Sequence, residues 1–155
     1  MSLESELREE KVAHLDLSGF AQVESGATVR MALAQLRAER QNVCLVTQDG
    51  QLRGIFTDRD VLRKVVNSPA SLDVPIDQVM TANPITVHPD SSALDALHLM
   101  DENHFRNLPA VDEQGKIVGN MTHQAVIAYL AARYPEQVLN RPPQSDQFPR
   151  KPEGG

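Results

Sequence analysis

The chain has 155 residues, 41% of them hydrophobic, and a net charge of −6, which together are typical of one globular domain. This acidic balance argues against a nucleic-acid partner, because nucleic acids are bound by basic surfaces. No apolar run reaches the roughly 18 residues of a membrane span, and the charged residues 1–11 do not resemble a secretory signal. We therefore expect a cytoplasmic protein without a membrane contact, in which the single cysteine, Cys44, is a buried apolar residue.

The first predicted element is a helical extension over residues 1–17, which contains the charged run ESELREEKVAHL. Its composition leaves two alternatives open. The helix packs either on the rest of the chain or on a second copy of it.

The chain then repeats itself. Val23 matches Val87 at a spacing of 64 residues, and Thr57 matches Thr122 at a spacing of 65. One extra residue in the second copy, placed near His104, accounts for the change. The two copies span residues 20–66 and 84–131.

Each copy predicts the order strand, helix, strand, strand, helix. The first strands are FAQVE and PITVH, and the next are VCLV and LPAV. QDGQ and EQGK are turn signals that lead into the strands LRGIF and KIVGNM. Thr28 and Ser92 are predicted caps of the first helix in each copy. The apolar stripes of these helices comprise Val29, Ala32, Leu33 and Leu36, and Ala93, Ala96, Leu97 and Met100.

A unit of about 50 residues with three strands is marginal alone, so we expect the two units to pack sheet to sheet with helices outside. The predicted fold class is therefore α+β, with two β-α-β-β-α repeats related by a pseudo-two-fold axis. The predicted boundaries are an extension at 1–17, repeat 1 at 18–67, a linker at 68–79, repeat 2 at 80–134 and a proline-rich, disordered tail at 135–155.

The motif GIFTDRDV, residues 54–61, carries the chemistry. Thr57 ends a strand and begins a helix, where a hydroxyl and free N–H groups suit a phosphate. Asp60 is an acceptor that suits the cis-diol of a ribose. The alternative is a capping box, with Thr57 as the cap and Asp60 as its acidic partner, and both roles can coexist. The second copy, GNMTHQAV, has Ala125 in place of the acid.

Other chemistries find little support in the sequence. The five histidines show no zinc-ligand spacing, and neither a phosphate-binding glycine loop nor a catalytic triad is recognisable. Arg59, Arg63 and Lys64 are explained by a charged helix face, whereas Arg106 precedes a buried strand that needs no charge. We therefore expect no enzymatic activity, no metal and no required cofactor.

The doubled pattern resembles a tandem pair of CBS domains, named for cystathionine β-synthase. The resemblance rests on VMTANPITVHPDSSALDALHLM and NLPAVDEQGKIVGNMT in the second copy and GIFTDRDVL in the first, and it covers roughly residues 18–134. It implies a regulatory module that binds AMP, ADP, ATP or S-adenosylmethionine in the cleft between its repeats.

Carried onto this chain, the resemblance implies a main site with phosphate at Thr57 and ribose at Asp60. The other members are Asn83, Pro84 and Ile85 around the adenine, Phe105 and Arg106 before the opposing strand, and Arg59 at the mouth. The second site comprises Gly19, Phe20, Ala21, Gln41, Asn42, Thr122 and His123. We expect the second site to be weak, because Ala125 offers no acceptor and Gln41 is assigned to the position of Arg106.

The resemblance also implies a homodimer whose signal passes through dimer rearrangement or to a separate effector protein. The alternative function is a ligand-independent interaction or dimerisation scaffold, which the loss of the acid at Ala125 favours and the intact Thr57 and Asp60 disfavour.

Overall fold

The computed structural model describes residues 2–133. Its helices and strands, in chain order, are α1 Leu3–Glu9, β1 Ala21–Glu24, α2 Val29–Glu39, β2 Val43–Gln48, β3 Gln51–Thr57, α3 Asp58–Asp60, β4 Thr81–Ala82, α4 Ala93–Asn103, β5 Asn107–Val111, β6 Ile117–Thr122 and α5 His123–Arg133. Helix α3 continues as one π-helical stretch, Val61–Val65. The predicted tail, 135–155, lies outside the described residues.

The strands form two sheets. The first has the order β1-β2-β3-β4, with β1 parallel to β2 and the other pairs antiparallel. The second consists of β5 and β6, paired antiparallel. Both β-hairpins turn through a glycine with positive φ, Gly50 (80°) and Gly115 (81°), as the two turn signals predict.

The predicted strand PITVH does not form. Only Val87 makes an isolated parallel bridge, to Ala110, with Val87 N donating to the Pro109 carbonyl at 2.9 Å. In the first repeat, Leu45 occupies the place of Pro109 and pairs with Gln22 in β1. Proline has no N–H to continue the ladder toward Ile85, so the pairing stops after one bridge.

The predicted helix caps are confirmed. The Thr28 hydroxyl accepts a hydrogen bond from Met31 N at 3.1 Å, and the Ser92 hydroxyl accepts from the N–H groups that open α4. The stripe residues face the core, with Leu33 and Leu97 only partly buried.

The segment that leads into each repeat pairs with the sheet of the other repeat. Strand β4 pairs with β3, and Ser18 bridges Asn120 in β6. These crossings require the glycine of each motif. A Cβ atom on Gly54 would overlap the Met80 side chain, and one on Gly119 would overlap Leu17. The exchange ties the two repeats into one unit.

The apolar core has three parts. One cluster lies in the first repeat around Phe56, and another lies in the second repeat around Met100 and Met121. A third joins the two sheets, with Val43, Leu45 and Ile55 from the first packing near Ile117 of the second and Phe20 from the segment before β1. The sheets therefore pack face to face, as predicted.

Cys44 is fully buried in the first cluster, and burial raises the pKa of its thiol to about 12. The side chain therefore behaves as an apolar residue, as the sequence indicates.

The segment expected as a linker, 68–79, is packed rather than extended. Ile76 is fully buried in the first core, Val79 is nearly so, and Ile76 N donates to the Ala27 carbonyl at 2.6 Å. Two 3-10 turns, Pro69–Asp73 and Ile76–Gln78, shape it.

Of the two alternatives for the N-terminal extension, packing on the chain itself is what the structure shows. Leu7, Val12 and Leu15 are buried in the core of the second repeat. The Tyr129 hydroxyl donates to Glu10 Oε2 at 2.7 Å, and His14 Nδ1 lies 2.5 Å from Glu10 Oε1. Together these bonds hold the pKa of Glu10 down at about 2, with the Tyr129 hydrogen bond as the largest cause.

Candidate functional site

A cleft of about 690 Å³ lies between the two repeats. It falls within the range of about 300–1,000 Å³ typical of small-molecule sites. All eight residues predicted for the main site line it: Thr57, Arg59, Asp60, Asn83, Pro84, Ile85, Phe105 and Arg106. The packing of the two sheets therefore brings together residues that are up to 49 positions apart in the sequence (106 − 57 = 49).

Thr57 and Asp60 form a capping box at the start of α3. Thr57 N donates to Asp60 Oδ2 at 3.0 Å, and Lys64 Nζ lies 3.3 Å from Asp60 Oδ1. Lys64 also donates to the Val79 carbonyl at 2.8 Å. The Asp60 residue is only 8% exposed, yet it lines the cleft. A carboxylate has about four lone-pair positions, so these two partners leave acceptor capacity for a ligand.

Three guanidinium groups line the cleft: Arg59, Arg63 and Arg106. Within residues 2–133, none of them makes a hydrogen bond or an ion pair. Two carboxylates, Asp58 and Asp60, line the same space, so the fixed charges there sum to about +1 in a chain of net charge −6 (+3 − 2 = +1). The cleft is thus locally suited to an anion.

The opposite wall is largely apolar. Ile85 is 45% exposed, and Pro84 and Phe105 are half-buried beside the same cleft. Asn83 adopts a left-handed backbone with φ of 51°, which asparagine tolerates better than most residues, and its N–H donates to the Arg53 carbonyl at 3.0 Å. This wall suits the face of a flat ring.

Sequence reasoning missed half of the lining. The additional residues are Ile55, Asp58, Leu62, Arg63, Thr81, His104, Asn107 and Pro109. The alternation of side chains along a strand could have indicated Ile55, which lies two residues before Thr57 and therefore on the same face of β3. The sequence pattern explains Arg63 as part of a charged helix face, but the structure places it in the cleft.

The alignment of the two repeats needs one correction. Helices α2 and α4 both end in a left-handed residue, Arg40 and His104, which are 64 positions apart. Val46 pairs with Gly54, and Ala110 pairs with Gly119, so the extra residue lies in the second hairpin and not near His104.

It follows that Arg106 corresponds to Asn42, and that its assignment to Gln41 was wrong by one position. Spacing alone could not place a one-residue insertion, whereas backbone pairing does. An uncharged amide still replaces the cation in the first repeat.

The residues predicted for the second site are partly engaged in the fold. A Cβ atom on Gly19 would lie 3.6 Å from Thr122 Cγ2, so these two are neighbours as predicted. The Thr122 hydroxyl accepts from Ala125 N at 3.0 Å and thus caps α5. Phe20 packs on the inter-sheet cluster and Ala21 is buried in β1.

A second cavity, of about 440 Å³, does not coincide with the predicted second site. It lies on the outer surface between α4 and α5, and of the residues predicted for the second site only His123 lines it. Within residues 2–133, no group of three or more His, Cys, Asp or Glu side chains is arranged to hold a metal ion.

Comparison with known proteins supplies the family. The sequence matches the family model of the CBS domain twice, at residues 13–67 and 76–132. The chain belongs to the CBS domain family. The first match contains strands β1 to β3, and the second contains β5 and β6 together with β4, which pairs with the sheet of the first repeat. The two sequence repeats are therefore two CBS repeats.

Related proteins agree with this assignment. The chain is 39% identical over 112 residues to the CBS domain-containing protein CBSCBSPB3 of Arabidopsis thaliana, a match that covers 71% of this chain and 20% of that protein. The chain thus spans about a fifth of the length of this relative. Within residues 2–133, no helix is long and apolar enough to cross a membrane.

Solved CBS structures share the fold. CBSX2, in complex with AMP, is 27% identical, with a TM-score of 0.68 over 79% of this chain and 98% of its own. The CBS domain pair of protein MJ0100, in complex with 5′-methylthioadenosine and S-adenosyl-L-methionine, has a TM-score of 0.68 at 22% identity over 80% of this chain and 98% of its own. At the lower identity the likeness concerns the fold alone.

Proposed function

We propose that this CBS pair is a non-catalytic sensor that binds an adenosine-containing ligand, with a phosphate, in the cleft between its repeats. The observation that carries the proposal is the gathering of Thr57, Asp60 and three unpaired arginines in one cleft of about 690 Å³. The AMP complex of CBSX2 supports the same ligand class.

Each part of the cleft has a proposed role. The Thr57 hydroxyl and Arg106 hold the phosphate, with Arg59 and Arg63 at the mouth. The free acceptor positions of Asp60 take the ribose hydroxyls, and the wall of Asn83, Pro84, Ile85 and Phe105 receives the adenine. The capping box and the ligand role of Asp60 are compatible, because the cap uses only part of the carboxylate.

Isothermal titration calorimetry with AMP, ADP, ATP, S-adenosylmethionine and adenosine tests the proposal. We expect binding of at least one phosphorylated ligand, and Asp60→Ala is expected to abolish or strongly weaken it. If none of the five ligands binds the unaltered protein, the sensor function is wrong and the scaffold alternative stands.

A charge variant tests the phosphate assignment. Arg106→Gln is expected to weaken AMP binding by about tenfold and to leave adenosine binding unchanged. Arg37→Gln, an exposed position on α2 outside the cleft, makes the same change in net charge and serves as the control. An equal effect of both variants would indicate only a long-range charge effect.

The signal is proposed to pass through a homodimer or to a separate effector protein. Large apolar side chains stand exposed on the outer helices, among them Met31 on α2 at 58% and Ile127 on α5 at 57%. Light scattering with and without AMP measures whether the chain dimerises and whether the ligand changes the assembly. An unchanged monomer in both states excludes the dimer route.

A further inference from the structure

An amide pair stands at the cleft where the first repeat has an apolar pair. Asn107 lines the cleft and is half-buried, and Asn120 is buried beside it. Asn107 and Val43 are equivalent, because each pairs with the threonine of its motif, Thr122 or Thr57. Asn120 likewise corresponds to Ile55, two residues before that threonine. Val43 and Ile55 belong to the inter-sheet core, so packing alone is satisfied by aliphatic side chains at this place.

The amide pair includes a buried acceptor without a partner among the described residues. Asn120 is 0% exposed, and its Oδ1 has no hydrogen-bond partner within the described residues. An unpaired acceptor in the interior carries the full penalty of its lost hydration. The aliphatic pair of the first repeat does not carry this penalty.

The hydrogen bonds determine how both amides are oriented. Asn120 Nδ2 lies 3.0 Å from the Gly19 carbonyl oxygen, which can only accept, so the nitrogen assignment is unambiguous. The same Nδ2 lies 3.1 Å from Asn107 Oδ1, which must then be the acceptor. The hydrogen bond from Asn120 therefore engages the oxygen of Asn107. The NH₂ group of Asn107 makes no hydrogen bond within the described residues.

We infer that Asn107 is a specificity-determining residue of the cleft and that Asn120 is the positioning residue that orients it. Asn107 lines the cleft beside Arg106 and is half-buried, and within residues 2–133 no hydrogen bond engages its Nδ2. It presents two N–H donors and selects a ligand with an acceptor atom at that point, either a purine ring nitrogen or a phosphate oxygen. This inference rests on the proposed function and deepens it.

The double variant Asn107→Val/Asn120→Ile copies the first repeat and is the principal test. It removes the unpaired acceptor of Asn120 together with its hydrogen bond to the Gly19 carbonyl, so we expect a folded protein with a Tm close to that of the unaltered protein. We also expect AMP binding to weaken by about tenfold, or about 1.4 kcal/mol. A variant that folds and binds AMP as tightly as the unaltered protein would overturn the inference.

Single variants separate the two roles. Asn107→Asp keeps the shape but replaces the donors, and it is expected to weaken binding at least as much as the double variant. Asn120→Ile alone leaves the Asn107 side chain free to rotate, so it is expected to weaken AMP binding less than the double variant does. When Asn107 is already replaced by valine, adding Asn120→Ile is expected to cause no further loss of AMP binding. An equal effect of Asn120→Ile in both backgrounds contradicts the positioning role.

Comparison of AMP with adenosine identifies the acceptor. A loss with both ligands places it on the nucleoside, and a loss with AMP alone places it on the phosphate. The experiments distinguish failure of the role inferred for Asn107 from failure of the proposed function. If the unaltered protein binds none of the adenosine ligands, both fall, whereas undiminished binding by the Asn107 variants refutes only the role of this amide pair.

Discussion

Replacing Asp60 with asparagine removes one charge from the cleft while keeping the shape of the side chain. The structure sets the expected size of the effect. Asp60 Oδ2 accepts from Thr57 N at 3.0 Å, a bond that the asparagine oxygen can keep. The substituted NH₂ group no longer accepts, so a ribose diol loses one charge-assisted hydrogen bond.

Such a bond contributes roughly 1.5–3 kcal/mol, so affinity for AMP is expected to fall by about one to two decades. The loss of the Lys64 ion pair is expected to lower the free energy of unfolding by about 1 kcal/mol, since Lys64 is 43% exposed. Calorimetry measures the first effect and chemical denaturation the second.

Asp58→Asn is the matched control, because Asp58 lines the same cleft but is exposed. Both variants remove a negative charge, which by electrostatics alone would favour an anionic ligand. We therefore expect Asp58→Asn to bind AMP with equal or slightly higher affinity, while Asp60→Asn binds it more weakly.

A second ligand, 2′-deoxyadenosine monophosphate, tests the ribose contact directly, since it lacks one of the two hydroxyls proposed to contact Asp60. The unaltered protein is expected to prefer AMP, and Asp60→Asn is expected to lose that preference. If Asp60→Asn weakens both ligands equally, or behaves like Asp58→Asn, the ribose assignment is wrong.

Three further predictions concern the asymmetry and the stability of the pair. Ala125→Asp is expected to add a second, weaker AMP site in calorimetry. It is also expected to lower Tm, because Ala125 is only 7% exposed and the residue four positions later is Tyr129, whereas Asp60 has Lys64 at that spacing. Unchanged stoichiometry and affinity would mean that the asymmetry between the two sites has another cause. Lys64→Met removes both the Asp60 ion pair and the hydrogen bond to the Val79 carbonyl, and it is expected to lower the free energy of unfolding by about 1 kcal/mol, or Tm by about 3 °C, measured by thermal unfolding. No change would mean that these two contacts together add nothing. Because the pKa of Glu10 is lowered in the folded state to about 2, its stabilising contribution is present above its ordinary pKa of 4.5 and is lost as the pH falls toward 2. Tyr129→Phe is therefore expected to lower Tm most above pH 4.5, with a difference that shrinks toward pH 2, and a pH-independent difference would contradict this assignment.

Features that depend on neighbouring residues could be predicted from the sequence. Thr28 and Ser92 cap their helices because a short hydroxyl side chain reaches N–H groups two or three residues on. Gly50 and Gly115 turn the hairpins because their backbones adopt positive φ. Repetition of these local signals was enough to predict two units of the same fold.

The main cleft could also be predicted, but through the family resemblance and not from spacing. From the residues alone, Thr57 and Asp60 fit a capping box as well as a ligand site, and the structure contains the capping box. Arg63 fits a charged helix face equally well. Only the packing of the two repeats shows that its side chain reaches the cleft.

The sequence by itself determined the repeats, their turns and caps, and the difference between the two motifs at Asp60 and Ala125, since each of these features depends on a few adjacent residues. Tertiary structure decided the rest. The single bridge at Val87 depends on Pro109 in the partner strand, and the contact of Asn120 with Gly19 joins residues 101 positions apart. Such pairings depend on which strands meet, and one chain segment does not carry that information.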